Sequence, residues 1–127
     1  MTALRQADAE FDGIEADFAN LESSQSVIDE VLKRYGQLDV LVNNAGLMLE
    51  GTIEESSLDS WQRTLSVNLT APFLLIKHAL PHLKGNGAIV NIGSIEGSGA
   101  NPRHPGLLCI KGRVTWTNQS CGYRSWH

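Results

Sequence analysis

Cysteines, surplus basic residues and long apolar runs are scarce in this chain, and each shortage removes a class of function. Only two of the 127 residues are cysteine, Cys109 and Cys121. Both stand late in the sequence and read as free intracellular thiols rather than a disulfide framework. With His104 and His127 they lack the tight Cys-x-x-Cys or His-x-x-x-His spacing of a zinc site, so no metal is expected. Lysine and arginine number 10 against 14 aspartates and glutamates, a net charge of −4. That balance gives no basic field to draw in nucleic acid or an anionic membrane, and a small molecule is the expected ligand. No apolar run approaches the roughly 20 residues that cross a bilayer. Residues 1–12 lack the charged-then-apolar order of a signal peptide, so the chain reads as cytoplasmic.

What is present is an alternation of helical and strand-like segments. Residues 1–13 suit the end of a surface helix stopped at Gly13, followed by a short strand near Ile14 to Ala16. Ser23 and Ser24 then precede a run that puts Val27, Ile28, Val31, Leu32 and Tyr35 on one helical face, with Gly36 as the stop. Leu38 to Val42 is short, apolar and rich in Val and Leu, the pattern of a strand buried on both faces. A long helix is expected from Leu58 to Lys84, with Trp61, Leu65, Leu69, Phe73, Ile76, Leu80 and Leu83 near one side and a kink at Pro72. Gly85-Asn86-Gly87 ends it, Ala88 to Ile92 is a second strand buried on both faces, and residues 93–105 form a loop. A helix leading directly into such strands is the signature of a parallel α/β sheet.

In open parallel sheets, ligands bind outside the carboxyl ends of the strands, and two polar clusters fall at such ends. The first is Asn43-Asn44-Ala45-Gly46, whose small residues let the backbone approach a flat ligand while an asparagine ties neighbouring strands together. An ordinary strand-to-loop turn would use the same residues. The second is Ser94, which taken alone is equally a turn residue or helix cap. Asn68 within the long helix reads as a local hydrogen bond at a bend, and Asp17 as a turn acceptor ahead of the first helix.

Taken together, Leu38 to Gly46, Ser66-Val67-Asn68-Leu69 and Ile89 to Ser94 resemble, in order and spacing, the short-chain dehydrogenase/reductase family. The resemblance implies a partial Rossmann-type, doubly wound parallel sheet over residues 1–105. It also implies NAD(P)-dependent hydride transfer between a nicotinamide and an alcohol or ketone, in a protein that forms homo-oligomers. By the same resemblance Asp17 and Phe18 meet the adenine, and Asn43, Ala45 and Gly46 lie beneath the cofactor's ribose. Asn68 holds a water in a proton relay, Ser94 polarises the substrate carbonyl, and Lys111 is the lysine of the Tyr-x-x-x-Lys motif, serving both catalysis and cofactor binding.

Two departures from that pattern stand out. The tyrosine position is Leu107, in Leu107-Leu108-Cys109-Ile110-Lys111, and leucine has no proton to give. The family's glycine-rich phosphate loop has no match in residues 1–13, so the chain is expected to begin inside the domain. A chain with those two gaps is expected to be impaired as an enzyme. The alternatives are a cofactor-binding pseudoenzyme or a module that associates through its long helix.

From 106 onward the sequence shows neither helical nor strand periodicity; the expectation is family sequence read one base out of frame, the alternative a divergent tail that lacks the motif by descent. Codons for Gly106 to Arg113 can be written so that deleting one base yields Ala-Tyr-Cys-Ala-Ser-Lys-Gly-Gly, with tyrosine at position 107 and lysine at 111. The code leaves little freedom further on. Trp116 before Thr117 becomes glycine, Asn118 before Gln119 becomes threonine or isoleucine, and Cys121 before Gly122 becomes alanine or valine. Residues 106–127 are therefore read as an aberrant tail.

Overall fold

The computed structural model describes residues 11–93. The loop at 94–105, the tail, the cysteines, Ser94, Leu107 and Lys111 lie outside the described residues. The elements run in the order α1 (Glu22–Tyr35), β1 (Leu38–Asn43), α2 (Leu58–Leu65), a π-helical turn (Ser66–Thr70), α3 (Ala71–Ala79), a 3₁₀ turn (Leu80–His82) and β2 (Leu83–Asn91).

β1 and β2 pair in parallel, with Leu41 opposite Ile89, Val42 opposite Val90 and Asn43 opposite Asn91. Parallel neighbours require a long crossover, and here α2 through the 3₁₀ turn supplies it. The register breaks between the Leu38–Leu83 and Val40–Ala88 pairs. Gly85-Asn86-Gly87 sits at that break, inside β2, rather than forming a free turn ahead of it.

The helices pack on one face of this sheet. Ile28 of α1 and Leu75 and Ala79 of α3 form the buried cluster, with Phe18, Leu32, Leu38 and Leu41 packed against it. The other face is open: Val40 is 53% and Val42 54% exposed, with Val90 and Ile92 also exposed. The expectation that both strands are buried on both faces is thus corrected. Their continuous apolar runs match a two-sided strand, yet among the described residues helices cover one side alone.

Two boundaries also differ from expectation. No strand forms at Ile14 to Ala16, where the backbone runs without regular structure, because a strand exists only with a partner ladder. Ser23 and Ser24 lie inside the first turn of α1, not ahead of it. Asn20 does the capping work, its Oδ1 accepting the Glu22 N–H at 3.2 Å. At the other end Gly36 stops the helix as expected, taking φ 71° while its N–H bonds the Leu32 carbonyl.

The long helix is not one smooth rod kinked at Pro72. Ser57 opens it, its Oγ accepting the Ser60 N–H at 3.1 Å. The irregularity then falls before the proline, in the widened Ser66–Thr70 turn where the Ala71 N–H reaches back to the Ser66 carbonyl. Proline has no N–H to donate and its ring crowds the preceding turn, and a wider turn relieves both.

Candidate cofactor and catalytic site

The carboxyl ends of β1 and β2 close on a pair of asparagines. Asn43 Nδ2 donates to Asn91 Oδ1 at 2.8 Å, and the Asn43 carbonyl accepts the Ile92 N–H at 2.9 Å. Asn43 is 8% exposed, and its Oδ1 is buried without a hydrogen-bond partner. Beyond it the chain leaves the sheet through Asn44, Ala45 and Gly46, all exposed. Small side chains here leave the backbone accessible beside the strand ends, where open α/β sheets take their ligands.

Asn68 fixes where that exit goes. Its Oδ1 accepts the Leu47 N–H at 3.0 Å and its Nδ2 donates to the Leu47 carbonyl at 2.7 Å. The second Nδ2 hydrogen goes to the Thr64 carbonyl at 3.0 Å. The π turn turns this side chain inward, where it is 1% exposed. The local bond expected at a bend is therefore present, joined by a two-point bracket on a strand-end loop. Both amide hydrogens are spent on backbone carbonyls. A water held by this residue has only the remaining Oδ1 lone pair or the main chain to bind.

Asp17 makes the turn ahead of α1. Its Oδ1 accepts the Ala19 N–H at 2.9 Å and its carbonyl accepts the Asn20 N–H at 3.1 Å. The carboxylate is exposed, with Oδ2 left for another donor, and Phe18 beside it packs on the Ile28 cluster. The fold therefore brings Asn43, Ala45, Gly46 and Asn68 to one place. It seats Phe18 on the same core as Leu41 of β1. Ser94 follows directly on the last described residue.

Two contributors are assigned no role from the sequence. Asn91 carries a visible signal, since both apolar runs end in asparagine, at Val42-Asn43 and Val90-Asn91. Leu47 carries none, because it contributes only its backbone. The exposed turn and the free Asp17 oxygen suit the nucleoside portions of a dinucleotide. Among the described residues no glycine-rich turn opens a helix to hold its phosphates.

Known proteins resemble this chain in sequence and in fold. The family model described as short chain dehydrogenase matches residues 1–106. The trans-4-hydroxycyclohexanecarboxylate dehydrogenase of Sinomonas cyclohexanicum is 41% identical over 85 residues, covering 66% of this chain and 33% of that protein. A metagenomic blue fluorescent protein in complex with NADPH superposes with a TM-score of 0.82 at 29% identity, over 91% of this chain and 47% of that one. A short chain dehydrogenase/reductase from Burkholderia phymatum in complex with NAD does so with a TM-score of 0.82 at 28% identity, over 94% and 43%. The chain thus spans about a third of that curated relative and under half of those two structures. With the family model matching residues 1–106, the chain belongs to the short chain dehydrogenase family.

Proposed function

We propose that this chain serves NAD(P)-dependent oxidation or reduction of an alcohol or ketone, in a cytoplasmic homo-oligomer with no nucleic-acid partner. The observation that carries the reading is the Asn68 bracket on Leu47, which holds an exposed small-residue turn at the strand ends. In this reading Asn43, Ala45 and Gly46 underlie the cofactor's ribose and Asp17 and Phe18 receive its adenine. The nicotinamide, when bound, supplies or accepts the hydride. Ser94 donates a hydrogen bond to the carbonyl oxygen of the substrate, Asn68 keeps the turn in register and a relay water near it, and Lys111 places a cation beside the proton donor.

That donor is where the chain as written falls short. A phenol has a pKa near 10, and a lysine cation beside it favours the phenolate, so a Tyr–Lys pair can pass protons near neutrality. Leu107 cannot, and loss of general acid–base catalysis is worth roughly 10²–10⁴-fold. The family match ends at residue 106, which supports the reading that the coding frame slips there. Leu107 also favours the second reading, a protein that binds the cofactor without turning it over.

The coding DNA with its flanks tests this directly. Deleting one base near codon 106 should open a frame that runs past codon 127 and encodes Tyr-x-x-x-Lys. A product that carries both the restored frame and a glycine-rich phosphate loop supplied upstream should reduce ketones with NADH or NADPH, and Ser94→Ala in that product should cost on the order of 2–4 kcal/mol of transition-state stabilisation. An unrestorable frame rules out the slip. Cofactor fluorescence changes without turnover would establish the second reading.

A further inference from the structure

Among the described residues, 11–16 make no backbone–backbone hydrogen bond to the rest of the protein. Their polar anchor is Arg34, in the last turn of α1. Its Nη1 donates to Asp12 Oδ2 and lies 3.4 Å from the Gly13 carbonyl, while its Nε donates to Glu30 Oε1 at 2.7 Å. Tyr35 adds a hydroxyl 3.4 Å from the same Asp12 oxygen. Asp12 is further fixed by its Oδ1, which accepts the Gly13 N–H at 2.8 Å.

The planar guanidinium suits this task. Glu30, one turn back on the same helix, holds one edge of the fork, which leaves another edge aimed at the incoming chain. Four residues after Gly13 comes the Asp17 turn, and Phe18 then drops onto the Ile28 cluster. The segment is thus gripped by charge at one end and by apolar packing at the other. Nothing regular lies between.

We infer that Arg34 is a positioning residue: by holding Asp12 and Gly13 it sets how the chain enters the Asp17–Phe18 turn, and so where that turn can receive an adenine nucleotide. The nucleotide half of this statement rests on the function proposed above; the clamp does not.

Backbone ¹⁵N relaxation on the full chain tests it, with Arg34→Ala, Arg34→Lys and Asp12→Asn. In Arg34→Ala and Asp12→Asn, order parameters over residues 13–16 should fall toward roughly 0.6, while those of β1 hold. Salt at about 1 M should act the same way on the unaltered chain, because the grip is exposed and screened. Arg34→Lys should fall between, since one ammonium cannot span both carboxylates. Unchanged order in Arg34→Ala overturns the clamp, as does loss of order throughout α1 and β1, which would mark Arg34 as a general support of the fold. Titration with NAD⁺, followed at the Ala19 amide, separates the two halves. Affinity should weaken by about two- to fivefold in Arg34→Ala, a modest loss in keeping with an exposed grip. Lost order with unchanged affinity keeps the clamp and overturns its link to the nucleotide.

Discussion

Asn43 and Asn91 stand opposite each other at the ends of two parallel strands and are joined amide to amide at 2.8 Å. The bond leaves Asn43 Oδ1 buried and unpartnered, so the pair closes the sheet while keeping one acceptor in reserve.

Replacing Asn43 separates these effects. Asn43→Ala should cost about 1–2 kcal/mol, because Asn91 Oδ1 loses its donor while an orphan acceptor is removed with it. Asn43→Asp should cost more, and increasingly so as pH rises and a carboxylate ionises against Asn91 Oδ1. Urea melts of both variants at pH 5 and pH 8 check this; equal midpoints for Asn43→Asp at the two pH values would contradict it.

Asn68→Ala should be the most damaging single change among the candidate site residues. It strands the Leu47 N–H and two carbonyls in a buried place, a loss on the order of 3 kcal/mol. Asn68→Asp should retain the bond from the Leu47 N–H and lose both donated ones, falling between. Denaturant midpoints rank the three, and near-native stability of Asn68→Ala would show that water replaces the bracket.

Low pH should release residues 11–16 from α1. Arg34 beside them holds both the Asp12 and Glu30 carboxyls below their ordinary range, chiefly through side-chain hydrogen bonds. Carboxylates with depressed pKa stabilise the fold above their unfolded pKa of about 4 and lose that contribution as pH falls through the lower folded value. Lys33 near Glu30 and Tyr35 near Asp12 complete the charged and titratable surroundings. Amide shifts of Gly13 followed from pH 6 to pH 2 should titrate with an apparent pKa below that of an ordinary carboxylate, rising toward it in salt.

The open sheet face should drive self-association. Among the described residues Val40, Val42, Val90 and Ile92 together offer an apolar strip on a sheet of two strands, too large to leave in water without consequence. Sedimentation should show species larger than one chain, and Val42→Thr with Val90→Thr should shift the distribution toward monomer. A monodisperse monomer before substitution would contradict this.

Gly36→Ala tests the helix stop. The residue takes φ 71° with open space around it, so an added methyl meets no atom but strains the backbone, by roughly 1 kcal/mol. Thermal melts should register a small loss, and Gly36→Asn should recover part of it.

Some of this architecture is written in local chemistry. Gly36 ends α1 because few other residues sit easily at positive φ, and the apolar runs at Leu38 and Ile89 form strands because nothing else suits them between turns. Asparagine ends both runs, a signal legible in the sequence although of the two only Asn43 is assigned a site role from it. A residue's type and its neighbours suffice for such features, since the forces act within a few positions.

Other features depend on partners distant in the chain. The Asn68 side chain answers to a backbone 21 residues away, and periodicity cannot reveal a partner that offers only its N–H and carbonyl. The Ile14 to Ala16 run has strand composition without a strand to pair with, and Arg34 becomes an anchor only because Asp12 arrives beside it. Among the described residues the apolar strands are bare on one face, because burial depends on what packs there. Sequence determined which segments are apolar, where they turn and which family they resemble. Tertiary structure alone decided which polar groups satisfy one another and which faces are covered, because hydrogen bonding and burial are settled by proximity in space.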